Sequence, residues 1–276
     1  MCATQRSGST LLCELLKDTG VAGRPEEYFE AMRDTGLPPH PGDYLADLPR
    51  TGAGIRDDDT PPEAPAYSSL AGLTGYRDHL RRSFDLGTTP NGVFASKLMW
   101  RQLPELHALA TALPEYAGLE MEPLLSALFG DPVYVWMSRR DKVRQAVSMW
   151  RALQTRSWRA GGGAGKDPAQ LHYRFEGIDH LVRALETEDR GWSGFFDRQG
   201  IDPLRVSYED DLERDRERTV CSVLDRIGVA PPAGWHPAEP MGRQADALSE
   251  EWVAAYHRDR ARGGGAESSV ARVAAL

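Results

Sequence analysis

A short polar turn near the start of the chain, residues 4–10, runs directly into an amphipathic helix that carries leucines at helical spacing. The turn combines one glycine, which lets the backbone approach a ligand closely, with hydroxyl donors and one guanidinium. Because unpaired N–H groups and the helix dipole meet at a helix N-terminus, this arrangement favours a bound anion. It lacks the Gly-Lys-Ser/Thr ending of nucleoside triphosphatases, and the alternative is a plain turn whose hydroxyls cap the helix. The candidate anion ligands are Arg6, Ser7, Gly8, Ser9 and Thr10.

A phosphate loop of this kind follows a buried strand, but only three residues precede Thr4, so we expect the first strand to be truncated. Residues 133–137 form a continuous apolar run, which is typical of a strand buried on both faces of a parallel sheet. Strand and helix patterns alternate along the chain. The sequence therefore predicts a single α/β domain over residues 1–262, with a P-loop-like parallel sheet flanked by helices, and a flexible tail over residues 263–276.

The remaining pattern places further elements and loops around this core. Strands are expected over 92–100 and 204–208, and helices over 103–113, 141–159, 178–199, 216–227 and 248–260. Residues 34–66 are rich in Pro, Gly and Asp and are expected to form a long surface excursion, and the glycines of 161–165 a flexible loop.

Composition narrows the function classes. The chain of 276 residues has a formal net charge of −8, which argues against general nucleic-acid binding. Its three cysteines are widely spaced and offer neither a metal site nor a disulfide framework, so a reducing cytoplasm is the simplest compartment. No apolar run reaches membrane-spanning length, and no signal peptide opens the sequence, so membrane insertion is not expected.

Several motifs spread along the chain together resemble one enzyme family. They lie at 4–12, 23–29, 92–100, 139–141, 145–152, 154–159 and 243–246, followed by Trp252 and Tyr256. This set is similar to the bacterial trehalose 2-sulfotransferases. The resemblance implies transfer of a sulfuryl group from 3′-phosphoadenosine 5′-phosphosulfate (PAPS) to a sugar hydroxyl, no metal, and a homodimer. Because the donor carries a phosphosulfate at one end and a 3′-phosphate at the other, two anion sites are needed.

The resemblance assigns ligands to both ends of the donor. It places the phosphosulfate on the turn, with Arg6 where related sulfotransferases carry a lysine, and gives Arg6 a catalytic role in stabilising the charge that develops on the bridging oxygen. Arg139 follows the predicted 133–137 strand and so lies at the carboxyl edge of the sheet, where α/β folds bind ligands. By resemblance the 3′-phosphate ligands are Arg139, Ser148 and Arg243, and Arg140 is the rival to Arg139 because the register is open by one residue.

The general base is assigned from the segment at 23–29. In the family pattern Gly-x-Pro-x-Glu-aromatic-Phe, the glutamate before the aromatic pair removes the proton of the attacking alcohol, and this position is Glu27 rather than Glu26. Without the family, either glutamate is an ordinary surface residue. Candidate acceptor-binding residues are Lys97, Trp100, Arg156 and Trp158, and the alternative for Trp100 is a simple core position.

Two other classes of function stay open from the sequence alone. A small-molecule kinase of the same fold would need the missing Gly-Lys-Ser/Thr and Mg²⁺ ligands, whereas sulfuryl transfer involves less charge and is expected to need no metal. A non-catalytic nucleotide-binding protein is compatible with the short first strand. The combination of Arg6, Glu27, Arg139 and Ser148 favours the enzyme.

Overall fold

The computed structural model describes residues 1–29, 75–155, 171–237 and 247–273, with side chains up to residue 263. The chain divides into two compact units, each made of several separate segments. Of the described residues, the first unit contains 1–29, 75–140 and 186–237, and the second contains 141–155, 171–185 and 247–273.

The first unit is built on a parallel sheet, as predicted. Its described strands are β1 (Cys2–Ala3), β2 (Leu98–Met99), β3 (Val135–Ser138) and β4 (Leu204–Ser207), in the order β2-β1-β3-β4. All neighbouring pairs are parallel; Ala3 lies opposite both Met99 and Met137, and Met137 in turn opposite Val206. The short β1 is therefore the strand to which both β2 and β3 pair.

Both faces of this sheet are buried, because successive strand residues point to opposite sides. Ala3, Met99 and Met137 pack with leucines of the first helix in one apolar cluster. Cys2 and Leu98 belong to another, against which Trp136 packs. The strand predicted at 133–137, with both faces buried, is confirmed from Val135 onward, where β3 begins. Val133, before β3, is 43% exposed.

Helices of the first unit cover the sheet and its edges. They are α1 (Ser9–Asp18), α2 (Tyr76–Gly87), α3 (Leu103–Thr111), α4 (Met121–Phe129) and α7 (Arg216–Arg226). The predicted helices at 103–113 and 216–227 are confirmed, whereas α2 and α4 were not predicted. The strand expected over 92–100 is confirmed only at β2, because before it the N–H groups of Ala95 and Lys97 bond to the carbonyls of Gly87 and Glu26 instead of to a strand.

The second unit is helical. It contains α5 (Lys142–Thr155), α8 (Ala247–Val273) and residues 175–185 of α6 (Phe175–Gln199), whose remainder belongs to the first unit. Trp150 is buried, donates its indole N–H to the carbonyl of His172 at 2.8 Å, and lies so close to Gly177 that an added Cβ there would be 2.6 Å from its ring. The burial and contacts of Trp150 place it in the core of this unit. Tyr256 also donates to Asp179 at 2.8 Å, and Arg144 pairs with Glu250.

Some predictions fall outside these elements. The excursion at 34–66 and the loop at 161–165 lie outside the described residues, and the tail from residue 263 stays a prediction, since α8 is described as a helix to Val273. None of the helices in the described ranges has both the length and the apolar character that crossing a membrane requires.

Candidate active site

The carboxyl edge of the sheet gathers the residues that the sequence singled out. The turn at 4–8 follows β1, a 3₁₀ turn (Trp100–Gln102) follows β2, Arg139 follows β3, and a π-helical turn (Tyr208–Leu212) follows β4. The chain passes from β1 to β2 on one side of it, and then crosses to β3 and β4 on the other side of β1. Such a reversal of strand order marks the ligand site of open α/β sheets.

Gly8 shapes the turn at the start of α1. Its φ of 95° lies in the left-handed region, and a Cβ added to it would stand 2.4 Å from the ring of Tyr208. Gly8 is also the N-cap of α1, so no side-chain oxygen closes the helix start. The interpretation of the hydroxyls as simple caps is thus not what the geometry shows, and the helix N-terminus keeps the character of an anion site.

Two neighbours of Gly8 add features that an anion would use. Ser7 is fully buried, and its hydroxyl has no hydrogen-bond partner among the described residues, which is uncommon for a buried polar atom. Arg6 has a positive φ of 61°, a conformation that costs a non-glycine residue about 1–2 kcal/mol. Such strain at a turn with a buried unsatisfied hydroxyl is typical of a functional loop.

Arg139 lies against this turn from the end of β3. Its guanidinium donates to the carbonyl of Arg6 at 3.4 Å, covers the ring of Tyr208 at 4.8 Å from the centroid, and lies 3.8 Å from a carboxylate oxygen of Glu209. Arg140 behaves differently: its side chain is 69% exposed and pairs with Asp210 at 3.3 Å. Of the two arginines, Arg139 is the one whose side chain contacts the turn.

Glu27 is held at the same edge by two side chains from the β2 region. The ammonium of Lys97 lies 2.8 Å from one carboxylate oxygen of Glu27, and the side-chain amide of Gln102 donates to the other at 2.9 Å. Lys97 also donates to the hydroxyl of Thr10 at 3.2 Å. The carboxylate is therefore connected through one lysine to the first turn of α1.

Glu26 faces a different group. Its carboxylate accepts from Lys17 of α1 at 2.6 Å, and Lys17 also pairs with Glu14. Burial alone would lower the pKa of Lys17, but its hydrogen bonds to Glu14 and Glu26 outweigh that effect and the net shift is upward. Glu26 therefore pairs with α1 through Lys17, whereas Glu27 is the glutamate whose carboxylate is linked to Thr10 through Lys97.

The structure places the other candidates as follows. Lys97 is only 2% exposed and thus contacts Glu27 and Thr10 rather than presenting a charged surface to a sugar. Trp100 is half-buried, packs its ring against Gly191 and meets Trp192 edge-on, as a core residue would. Ser148 lies on α5 in the second unit. Arg156, Trp158 and Arg243 lie outside the described residues.

Sequence reasoning missed three residues of this edge. Tyr208 is the last residue of a predicted strand and Glu209 follows it directly, so the carboxyl-edge rule could have flagged both. Gln102 carried no signal, because its contact with Glu27 depends on the packing of two distant segments. In the described part of the chain, no group of three or more His, Cys, Asp or Glu side chains is arranged to hold a metal ion.

The carboxyl edge of the parallel sheet thus carries a glycine-containing turn at the start of α1 and, linked to it through Lys97, the carboxylate of Glu27. In a family comparison, the model of the Stf0 sulphotransferase family matches residues 1–259, and the chain belongs to that family. The match runs through the segments of both units, in agreement with the predicted single α/β domain. The predicted resemblance is confirmed.

Two curated relatives extend this finding. A protein named trehalose 2-sulfotransferase from Mycobacterium tuberculosis (strain ATCC 35801 / TMC 107 / Erdman) is 40% identical over 266 residues, which cover 94% of each chain. A second protein of that name from Mycolicibacterium smegmatis (strain ATCC 700084 / mc(2)155) is 38% identical over 263 residues, covering 95% of each chain. Similarity therefore extends over almost the full length of these enzymes.

Proposed function

We propose that this sulfotransferase moves a sulfuryl group from PAPS to a hydroxyl of trehalose or of a similar glycosylated small molecule, with Glu27 as the general base. The observation that carries the proposal is the proximity of the carboxylate to the anion turn: one ammonium, that of Lys97, contacts both Glu27 and Thr10. Trehalose is the preferred acceptor because both relatives are named for it.

The phosphosulfate end of the donor is assigned to the turn from Arg6 to Thr10. Helix N–H groups without a side-chain cap and the unsatisfied hydroxyl of Ser7 offer donors to its oxygens. As the bond to sulfur breaks, negative charge grows on the bridging oxygen, and the cation of Arg6 together with these fixed donors stabilises it.

The 3′-phosphate end is assigned to Arg139, with Ser148 and Arg243 as further ligands by resemblance. Arg139 is supported by its position against the turn and by a side chain that is only 17% exposed. Arg140 stays the rival, since it follows the same strand, but its side chain points to Asp210. An incoming phosphate would compete for Arg139 with Glu209.

In the proposed reaction, an oxygen of the sugar hydroxyl attacks sulfur while its proton passes to Glu27. The new bond joins sulfur to the sugar oxygen, and the bond from sulfur to the bridging oxygen breaks. The products are the sulfated sugar and adenosine 3′,5′-bisphosphate. A general base placed in this way typically contributes about 10²–10⁴-fold to the rate. A cytoplasmic location, a homodimer and independence from metal ions stay predictions of the sequence.

The test is a transfer assay with radiolabelled PAPS and a panel of disaccharides that includes trehalose, maltose and sucrose. We expect labelled trehalose sulfate from the wild-type protein. Binding of adenosine 3′,5′-bisphosphate without transfer to any acceptor would instead establish the non-catalytic nucleotide-binding alternative. Phosphoryl transfer from ATP with Mg²⁺ would establish the kinase.

A further inference from the structure

Lys97 is a buried lysine that touches both sides of the candidate site. Its side chain is 3% exposed, its ammonium lies 2.8 Å from Glu27, and it donates to Thr10 at 3.2 Å. We propose that Lys97 is a positioning residue, which fixes the carboxylate of Glu27 relative to the donor-binding turn and offsets the repulsion between that carboxylate and the anionic donor. This inference rests on the proposed function of Glu27.

The charge of Lys97 supports this role. Burial alone would lower the pKa of a lysine, but the carboxylate of Glu27, with smaller contributions from Cys13 and Glu26, outweighs burial, and the pKa of Lys97 is raised. The side chain therefore stays protonated and cannot itself accept the proton of an alcohol. It acts as a fixed cation, and buried ions persist when they are paired in this way.

The backbone around Lys97 makes this position rigid. The N–H of Lys97 donates to the carbonyl of Glu26 at 2.9 Å. This hydrogen bond joins the segment that carries Glu27 to the segment that carries Lys97, next to the side chains of both residues. On the other side, Gln102 accepts from the N–H of Met99 and donates to Glu27, each at 2.9 Å. Each carboxylate oxygen thus has one fixed partner, and a carboxylate has further lone pairs available for a substrate proton.

Electrostatics explain why a cation is needed between the base and the donor. A carboxylate and a phosphosulfate repel each other, most strongly where water is excluded. An ammonium that bonds to Glu27 and also to a hydroxyl in the first turn of α1 reduces this repulsion and keeps the base at a constant distance from that turn. The rate of an oriented reaction is sensitive to this distance, since a displacement of about 1 Å can cost about 10²-fold.

The test compares kcat and KM for Lys97→Met with those of the wild-type enzyme. We expect kcat to fall about 10²-fold, because the carboxylate of Glu27 is no longer held at a fixed distance from the turn. KM for the sugar changes by less than about threefold, since the ammonium of Lys97 is bonded to Glu27 and Thr10. Besides Glu27, the titratable groups near Lys97 are Glu26 and Cys13, and both of these groups also lie near Lys17.

Two further variants keep the result decisive. Lys17→Met removes the neighbouring lysine, which pairs with Glu14 and Glu26, and is expected to leave kcat within about threefold of the wild-type value. Thr10→Val removes the hydroxyl that Lys97 contacts, in a residue of the donor-binding turn, and we expect a fall in kcat of about tenfold. Thermal unfolding checks that each variant is folded.

The outcomes separate this inference from the proposed function. Wild-type kcat in a Lys97→Met protein that binds the bisphosphate would overturn the role of Lys97. If Lys97→Met does not bind the bisphosphate, wild-type kcat in Thr10→Val would overturn the proposed role of Lys97 instead. Wild-type kcat in Glu27→Gln would overturn the base itself, and with it the proposed function of Glu27.

Discussion

Two adjacent glutamates, Glu26 and Glu27, have different environments, and this difference supports the different roles proposed for them. Glu26 bonds to Lys17 on α1, whereas Glu27 bonds to Lys97 and Gln102 beside the anion turn. Only the second environment connects a carboxylate to the candidate donor site. Replacement of either residue by glutamine keeps its size, so a pair of variants tests charge and proton transfer with little change in packing.

Glu27→Gln is expected to lower kcat by about 10²-fold or more, because the amide cannot take the proton of the attacking hydroxyl. Affinity for adenosine 3′,5′-bisphosphate, measured by calorimetry, should stay within about twofold, since the carboxylate does not bind the nucleotide. The matched control is Glu26→Gln, for which we expect kcat within about threefold of the wild type and a slightly lower melting temperature. Equal losses of kcat in both variants would contradict the assignment.

Gly8 is a residue of the turn that is expected to tolerate replacement poorly. In Gly8→Ala, the left-handed backbone costs about 1–2 kcal/mol and the clash with Tyr208 about 1–3 kcal/mol more. We expect a clear fall in the free energy of unfolding and weaker bisphosphate binding. Gly20→Ala is the control, because Gly20 has φ of +67° but nothing within 4 Å of an added Cβ, so only the first cost applies. Chemical denaturation measures both, and equal losses would show that the clash is relieved without cost.

At the scale of elements, helix α2 supports the segment that carries Glu27. His79 of α2 is buried and its Nε2–H donates to the carbonyl of Tyr28 at 2.6 Å, while its ring stacks on Tyr76 and meets Phe29 edge-on. Burial lowers the pKa of His79 below its usual range, and the hydrogen bond to Tyr28 opposes this only in part. The helix therefore packs against Tyr28 and Phe29 with a neutral histidine.

This burial predicts a pH dependence of stability. The unfolded chain protonates this histidine near its usual pKa of about 6.5, whereas the folded protein does so only at lower pH. The stability that the neutral histidine contributes is therefore fully present above about pH 6.5 and is lost as the pH falls below that value. The slope is at most about 1.4 kcal/mol per pH unit for one group. In His79→Gln, which cannot titrate, we expect a lower melting temperature at about pH 7.5 and a smaller deficit at about pH 5.5. A deficit that stays constant over this range would rule out His79 as the cause.

The sequence predicted the elements with strong periodicity and missed those defined by packing. Residues 133–137 and 103–113 carried clear patterns, and β3 and α3 lie there. Residues 92–100 looked like a full strand, yet the chain before β2 bonds to Gly87 and Glu26, which no local pattern encodes. The site divides in the same way. Glu27 was predicted from the family pattern at 23–29. Its partners Lys97 and Gln102 come from a segment some 70 residues away, and their contacts depend on how that segment packs beside it.

At the scale of the whole molecule, anion binding has to be local. The chain carries a net charge of −8, so its overall field repels a donor with several negative charges. In the proposed function, affinity for the donor comes from the turn at 6–10 and from Arg139, which lie together at one sheet edge. Acidic groups of the turn after β4, such as Glu209 and Asp210, already pair with the arginines after β3 and would have to yield to a phosphate.

A donor held at both ends should be distinguished from one that offers a single end. Adenosine 3′,5′-bisphosphate is therefore expected to bind more than tenfold tighter than adenosine 5′-monophosphate, which lacks the 3′-phosphate, because one charge-assisted contact is worth about 1.5–3 kcal/mol. At about 100 times its Kd the bisphosphate adds about 2.7 kcal/mol to the free energy of unfolding, which thermal shift detects. Arg139→Ala should weaken binding of the bisphosphate more than binding of the monophosphate and so reduce the ratio of their affinities. The side chain of Arg140 is exposed and paired with Asp210, so Arg140→Ala should leave this ratio within about twofold of the wild-type value. If only Arg140→Ala reduces the ratio of the two affinities, the residue that binds the 3′-phosphate is Arg140. Stabilisation by ATP with Mg²⁺ but not by the bisphosphate would exclude a site that binds both ends of the donor.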